Sequence, residues 1–324
     1  MRETKVAVIG GGSMGRALAL AATAAGCEAT LCFPDPAITG VDERTRSFPG
    51  ALGEIARVSA VMDEVVAGAV LVIMAVPSPH FRAAARSLAA HGIAGRPILS
   101  STKGFEPVTH ARMSEILAEE TGSAALGAIA GANITPELVA GRLGGIVVAS
   151  AAPEIGAIAK RCLESAQLRV WLDPDIVSIE LAAALKNVVA IGVAIATGLE
   201  LGFNAQSIVF GCGLREIAAL GSALGADAGA FAGLAGAGDL FLTASSPDAL
   251  NRRLGIELGR GACLADVLAG LPEIPEGIGS ARACRALARR HGLRLPIAEA
   301  VAAILDGERQ AAALADACRE AGPA

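Results

Sequence analysis

Two groups of residues in this chain have types and spacings that could do chemistry. Gly10-Gly11-Gly12-Ser13-Met14-Gly15 has the Gly-x-Gly-x-x-Gly spacing, directly after the apolar run Lys5–Ile9 and at the start of a helical pattern. In that context Gly10 permits a tight turn, Gly12 lets backbone approach a pyrophosphate, and Gly15 lets helix and strand pack closely. The helix N-terminus then faces the anion. The second group centres on Lys186, which stands in Leu181-Ala182-Ala183-Ala184-Leu185-Lys186-Asn187-Val188-Val189-Ala190, a helical segment apolar nearly all the way round. Desolvation there would lower the lysine pKa toward neutrality and make it a proton donor and acceptor.

Lysine is scarce, which sharpens the second reading. Only Lys5, Lys103, Lys160 and Lys186 occur, against 23 arginines. Helical spacing puts Ala182, Ala183 and Ala190 on the face of Lys186, so its ammonium could stand in a methyl-lined niche with Asn187 as an uncharged neighbour. The bland alternative is a lysine that snorkels to solvent.

The elements that must position these groups alternate. Apolar strands at Lys5–Ile9, Glu28–Phe33, Val70–Val76 and Pro97–Ser100 are separated by helical segments at Gly15–Ala25 and Phe81–Ala90. Further strands are expected at Ala125–Ala130, Gly144–Ala149 and Leu168–Leu172, with a helix over Pro153–Ser165. Such alternation predicts an α/β fold, a Rossmann-type doubly wound parallel sheet with helices on both faces. After Asp173 the pattern is helical throughout, so residues 1–173 read as a dinucleotide-binding domain and 174–324 as an all-helical substrate and dimerisation domain. Its helices are expected at Val177–Leu199, Ala205–Ala223, Asp248–Arg260, Gly279–Arg290 and Pro296–Asp306.

The second strand runs into Cys32-Phe33-Pro34-Asp35. An acid there would bond a free adenosine ribose, whereas an arginine would accommodate a 2′-phosphate. Asp35 fits the first role but follows a proline, and Arg44 and Arg46 lie further on, so NAD and NADP both stay open with a lean to NAD. Val76-Pro77-Ser78 and Ser100-Ser101-Thr102-Lys103-Gly104 fall at carboxyl ends of strands, where open α/β sheets bind ligands. His80 is left unassigned.

Composition excludes other classes. The 324 residues carry 27 basic and 32 acidic side chains, net −5, and are 53% apolar but only 18% charged, which argues against disorder and against a basic nucleic-acid surface. Aromatic content of 3% argues against base-stacking platforms. Seven scattered cysteines without Cys-x-x-Cys give neither a disulfide framework nor a metal site, and fit a reducing cytoplasm. No secretory leader is expected, and the apolar runs end before the ~20 residues a bilayer requires, so no membrane insertion is expected either.

Taken in order, the motifs resemble the cytoplasmic NAD(P)-dependent glycerol-3-phosphate dehydrogenases. They are the glycine fingerprint, Val76-Pro77-Ser78, Thr102-Lys103-Gly104, Leu185-Lys186-Asn187-Val188, Gly202-Phe203-Asn204-Ala205, Gly236-Ala237-Gly238-Asp239-Leu240 with Thr243, Asn251-Arg252-Arg253 and Glu276-Gly277. The resemblance implies a dimer and hydride transfer between nicotinamide and sn-glycerol 3-phosphate or dihydroxyacetone phosphate. It implies Lys186 as general acid/base, with Lys103, Asn187 and Asp239 completing the catalytic surroundings. Cofactor contacts would come from Gly10, Gly12, Ser13, Met14, Gly15, Asp35, Pro77, Lys103, Thr135, Ile274 and Glu276. Substrate contacts would come from Lys103, Gly131, Asn133, Lys186, Asp239, Thr243, Asn251 and Arg252.

Departures bear on the substrate. The resemblance implies an arginine before Asn251, to hold phosphate, where this chain has Leu250. Gly131-Ala132-Asn133-Ile134-Thr135-Pro136-Glu137 displaces a proline, and Gly211-Cys212 stands where Thr-Arg is common. Either Arg252, Arg253 or Arg215 takes over the phosphate, or the substrate is another hydroxy compound, as in the similarly planned ketopantoate reductases. A nucleotide-binding module without catalysis is the remaining alternative.

Overall fold

A strand covered on both faces is apolar where it is buried, as residues 6–9 and 71–74 are. The computed structural model describes residues 4–32, 57–133 and 135–322, and the chain divides into two units, Met1–Ile176 and Val177–Ala324. In the first unit the order is β1 (Lys5–Ile9), α1 (Ser13–Ala24), β2 (Glu28–Cys32), β3 (Arg57–Ser59), α2 (Met62–Val66), β4 (Ala69–Met74), α3 (Ser78–Ala89) and β5 (Ile98–Ser100). It continues with α4 (Met113–Thr121), β6 (Leu126–Ala130), α5 (Thr135–Val139), β7 (Gly144–Ala149), α6 (Pro153–Leu163) and β8 (Leu168–Asp173).

The strands form one sheet in the order β3-β2-β1-β4-β5-β6-β7-β8. Period-two alternation sends Val6, Val8, Leu71 and Ile73 into one apolar layer, and Ala7, Ile9, Val72 and Met74 into the other. Each large aliphatic side chain so buried contributes about 1.5–3 kcal/mol. β2 and β4 flank β1, so strand order reverses there, and the glycine turn after β1 opens at that switch point.

The expectation of a wholly parallel sheet is corrected at one edge. β6 and β7 pair antiparallel, with Ile129 opposite Val148, and β7 pairs parallel with β8. A short connection carrying the five-residue α5 joins the two strands, and the chain returns in the opposite direction. β3, α2, α4 and α5 are elements the sequence patterns did not bring out; β3 is a three-residue edge strand with no fully buried residue.

The second unit holds α7 (Ile176–Gly198), α8 (Gly202–Ala223), α9 (Gly229–Ala232), a π-helical turn (Leu234–Gly238), α10 (Asp239–Ser245) and α11 (Leu250–Gly259). α12 (Leu264–Ala269), α13 (Glu276–Arg290), α14 (Pro296–Leu305) and α15 (Ala313–Glu320) follow. Among the described residues α7 is the one helix long and apolar enough to cross a membrane, but 94% of its most apolar window is buried in the fold, as a core helix requires.

α7 and α11 touch backbone to backbone. A methyl group at Gly255 would sit 2.6 Å from the Ile191 carbonyl oxygen, and one at Gly259 would sit 2.5 Å from that of Ile195. Asn251, Gly255 and Gly259 repeat every four residues and so share one face of α11. That close approach brings Asn251 against Asn187.

Candidate active site

In the first unit the site is built by the chain leaving β1. Gly10 adopts φ +111°, and a side chain there would drive a Cβ to 2.3 Å from the Ala75 carbonyl oxygen. A Cβ at Gly15 would lie 1.9 Å from the Gly10 carbonyl oxygen. Gly12 is the N-cap of α1 and supplies no side-chain cap, so the first turn of α1 presents backbone donors. Gly10 and Gly15 thus permit the tight turn and the close packing of α1 on it, and the helix N-terminus they create fits a dinucleotide pyrophosphate.

Lys103, on the loop after β5, is half-buried and donates from Nζ to the Gly131 carbonyl oxygen at 2.8 Å. Asn133 donates to the Gly145 carbonyl oxygen at 3.0 Å, while its Oδ1 is buried without a hydrogen-bond partner among the described residues. Met14, Ser101, Lys103 and Asn133 all line one small cavity. The structure thus brings fingerprint helix, lysine loop and Asn133 together.

Two sets of contacts hold the lysine loop. The Thr102 hydroxyl donates to the Val76 carbonyl oxygen at 2.7 Å. Arg82 grips both oxygens of Glu106 through one guanidinium edge, Nε to Oε1 at 2.5 Å and Nη2 to Oε2 at 2.9 Å. The Arg82 guanidinium holds the Glu106 carboxyl below the usual carboxylate range.

In the second unit Lys186 is 3% exposed, so the snorkelling alternative does not hold. The methyl-lined niche is also corrected. Nζ donates to the Thr243 hydroxyl at 2.5 Å and stands 3.2 Å from Asp239 Oδ2. The Thr243 hydroxyl in turn donates to the Asp239 backbone carbonyl at 2.7 Å, one turn back along α10. Asp239 opens α10 directly after the π-helical turn, an irregularity common at functional sites. That turn carries a carboxylate to the lysine, and a period drawn on α7 alone could not show it.

Asn187 lies one residue on and is likewise buried. Its Oδ1 accepts from Asn251 Nδ2 at 3.1 Å, and Asn251 Oδ1 is buried without a hydrogen-bond partner among the described residues. Lys186 with Asp239 and Thr243, and Asn187 with Asn251, are therefore two polar sets that start from consecutive residues of α7.

Other expected contacts fare differently. Arg252 is half-buried and donates from Nε to the Ala244 carbonyl oxygen at 3.0 Å, so it is anchored beside α10. Arg215, offered as a phosphate ligand, is tied instead to the Gly322 carbonyl oxygen. Pro77 is the N-cap of α3 at the end of β4, Glu276 begins α13, and Ile274 is exposed. Asp35, with Phe33, Arg44 and Arg46, lies outside the described residues, and the Thr135 side chain is likewise not described. Arg16, which the sequence reading passed over, is buried at 3% exposure beside the glycine turn.

Comparison with known proteins gives a consistent picture. Residues 5–155 match the family model described as NAD-dependent glycerol-3-phosphate dehydrogenase N-terminus, and residues 175–316 match its C-terminus counterpart. A glycerol-3-phosphate dehydrogenase [NAD(P)+] of Dechloromonas aromatica (strain RCB) is 37% identical over 314 residues, covering 95% of each chain. One of Caulobacter vibrioides is 37% identical over 314 residues, covering 95% of this chain and 94% of its own. The crystal structure of a glycerol-3-phosphate dehydrogenase from Coxiella burnetii superposes with a TM-score of 0.87 at 26% identity over 98% of both chains.

Proposed function

This chain belongs to the NAD-dependent glycerol-3-phosphate dehydrogenase family, and from that premise we propose that it interconverts sn-glycerol 3-phosphate and dihydroxyacetone phosphate with Lys186 as general acid and base. The activity is that of an NAD(P)-dependent oxidoreductase acting on a CH–OH group. The single observation that carries the role of Lys186 is its buried ammonium, held by a hydroxyl on one side and a carboxylate on the other.

When bound, the nicotinamide supplies hydride to the ketone carbon or accepts it from the alcohol carbon. The chain's own task is the proton and the charge. As the carbonyl becomes an alkoxide, Lys186 Nζ stabilises the oxygen and gives it a proton; in the oxidation direction the neutral amine takes the hydroxyl proton back. Thr243 and Asp239 fix where Nζ stands, so no reorganisation is needed at the moment of transfer. Asn187 and Asn251 offer amide groups in the second unit, and Lys103 with Asn133 offers a cation and an acceptor in the first. Gly10, Gly12, Ser13, Met14 and Gly15 serve the pyrophosphate. In this reading the first unit is the dinucleotide domain and the second the substrate domain.

Two finer statements belong to the same reading. The seven cysteines are free thiols, which supports a reducing cytoplasm. Phe203 and Ile208 are large apolar side chains exposed on α8, which supports their burial in a homodimer.

The test is a panel of phosphorylated and unphosphorylated hydroxy compounds with NAD and NADP, followed at the nicotinamide absorbance. Turnover of glycerol 3-phosphate with glycerol inert is expected. Turnover of an unphosphorylated hydroxy acid with glycerol 3-phosphate inert would overturn the substrate. Cofactor binding without turnover of any of them would overturn the enzyme reading.

A further inference from the structure

Arg16 follows the last fingerprint glycine, in the first turn of α1. Its side chain is almost fully buried, although this chain uses arginine wherever a surface cation will do. Long charged side chains are almost never so buried unless they are held by hydrogen bonds or charge. Its Nε donates to the Gly11 carbonyl oxygen at 2.8 Å, five residues back. Its backbone N–H donates to the Gly12 carbonyl oxygen at 3.1 Å.

These bonds fix the direction of the turn. The Gly10 carbonyl packs against Gly15, the Gly11 carbonyl is held by the Arg16 side chain, and the Gly12 carbonyl is held by the Arg16 backbone. In a trans peptide plane the carbonyl of one residue and the N–H of the next point opposite ways. With three successive carbonyls directed onto α1, the N–H groups of Gly11, Gly12 and Ser13 are directed away from it. Successive backbone N–H groups aimed outward make an anion-binding concavity. Glycine supplies little conformational preference of its own, so something else must choose this orientation. The middle peptide is the one whose carbonyl the Arg16 side chain holds.

We infer that Arg16 is a positioning residue for the cofactor: by holding the Gly11 carbonyl it aims the Gly12 N–H at the pyrophosphate. The inference rests on the dinucleotide reading of the glycine turn. Arg16 acts through the backbone and needs no contact with the reacting atoms.

The experiment measures NADH and NADPH affinity directly, from nicotinamide fluorescence without substrate, for the parent enzyme and for Arg16→Met, which keeps length but removes the donor. Loss of one aligned hydrogen bond to a charged group should weaken cofactor binding about tenfold. At saturating cofactor, kcat and the KM for dihydroxyacetone phosphate should stay within twofold. A purely structural role would lower the thermal midpoint without this split between cofactor affinity and substrate KM. Should Arg16→Met fail to fold, Arg16→Lys, which keeps a cation but places no donor at the Nε position, is measured in the same way and with the same expectation. Unchanged cofactor affinity in a folded variant overturns the inference alone. A parent enzyme that binds neither dinucleotide overturns the reading beneath it as well.

Discussion

The Lys186 ammonium stands 3.2 Å from Asp239 Oδ2, with both side chains less than 5% exposed. The two come from different helices, α7 and α10, and meet inside an apolar bundle. Such a pair gains stability only when its remaining donors and acceptors are also satisfied, and Thr243 supplies that third contact. A developing alkoxide would meet Nζ where these two contacts hold it.

Removing the lysine should therefore do two separable things. Lys186→Ala is expected to cut kcat about 10²–10⁴-fold through loss of the general acid, with NADH affinity kept. It should also lower stability by about 3–5 kcal/mol, because Asp239 is left buried without its cation. Steady-state kinetics, cofactor titration and denaturant unfolding read the two effects apart. A rate loss of less than tenfold in a folded variant would take Lys186 out of the chemistry.

Thr243 offers a finer test, because it touches the lysine without carrying charge. Thr243→Val keeps shape but removes the acceptor for Nζ and the donor to the Asp239 carbonyl. A hydrogen bond to a charged group contributes about 1.5–3 kcal/mol, so kcat is expected to fall roughly 10- to 100-fold. The affinity for NADH should stay unchanged. Recovery of kcat in Thr243→Ser, which restores the hydroxyl, separates positioning from packing.

Parts of this site are visible in the chain's spelling because they are local. The glycine turn is six consecutive residues, and β1, α1 and β2 around it follow from apolar runs and spacing. Lys186 is conspicuous because lysine is rare and its helix is apolar. What joins it is not local: Asp239 and Thr243 reach it only through a π-helical turn whose geometry no helical period announces. The resemblance carried their roles, and the residues by themselves did not. The reversed edge at β7 escaped because strand direction is fixed by pairing with a neighbour, which no apolar run records. Arg16 escaped because arginine supplies 23 of the 27 cations, so one more on a helix carries no signal until its burial is seen.

Glu216, on α8, provides a pH test of the second unit. Its two carboxylate oxygens accept the backbone N–H groups of Ile297 and Ala298 at 3.0 and 2.9 Å, at the start of α14. Burial nevertheless pushes its pKa up, outweighing those bonds and the nearby Arg215. The folded state then holds a proton that the unfolded chain releases, so stability falls as pH rises from the ordinary carboxylate value through the folded one. Glu216→Gln removes that slope. The thermal midpoint of the parent minus that of Glu216→Gln should decrease across this window as pH rises. A difference that grows with pH would mean the backbone donors outweigh burial.

The substrate phosphate gives the last prediction. Leu250 is the first residue of α11 and is half-buried, where the family resemblance implies an arginine. Beside it Asn251 is bonded to Asn187, and Arg252 is anchored on the Ala244 carbonyl. In Leu250→Arg a new cation stands at the positive end of a helix dipole, costing about 0.3–1 kcal/mol until an anion arrives. A charge-assisted bond to phosphate contributes about 1.5–3 kcal/mol in return. If Arg252 or Arg253 already serves the phosphate, the KM for dihydroxyacetone phosphate should fall only several-fold, with kcat kept, and this is the expected result. A gain approaching a hundredfold would show that the native phosphate contact is missing and that this chain evolved toward another hydroxy compound. No change in KM would place Leu250 away from the substrate, and the arginine that meets the phosphate would then be sought by replacing Arg252 and Arg253 in turn.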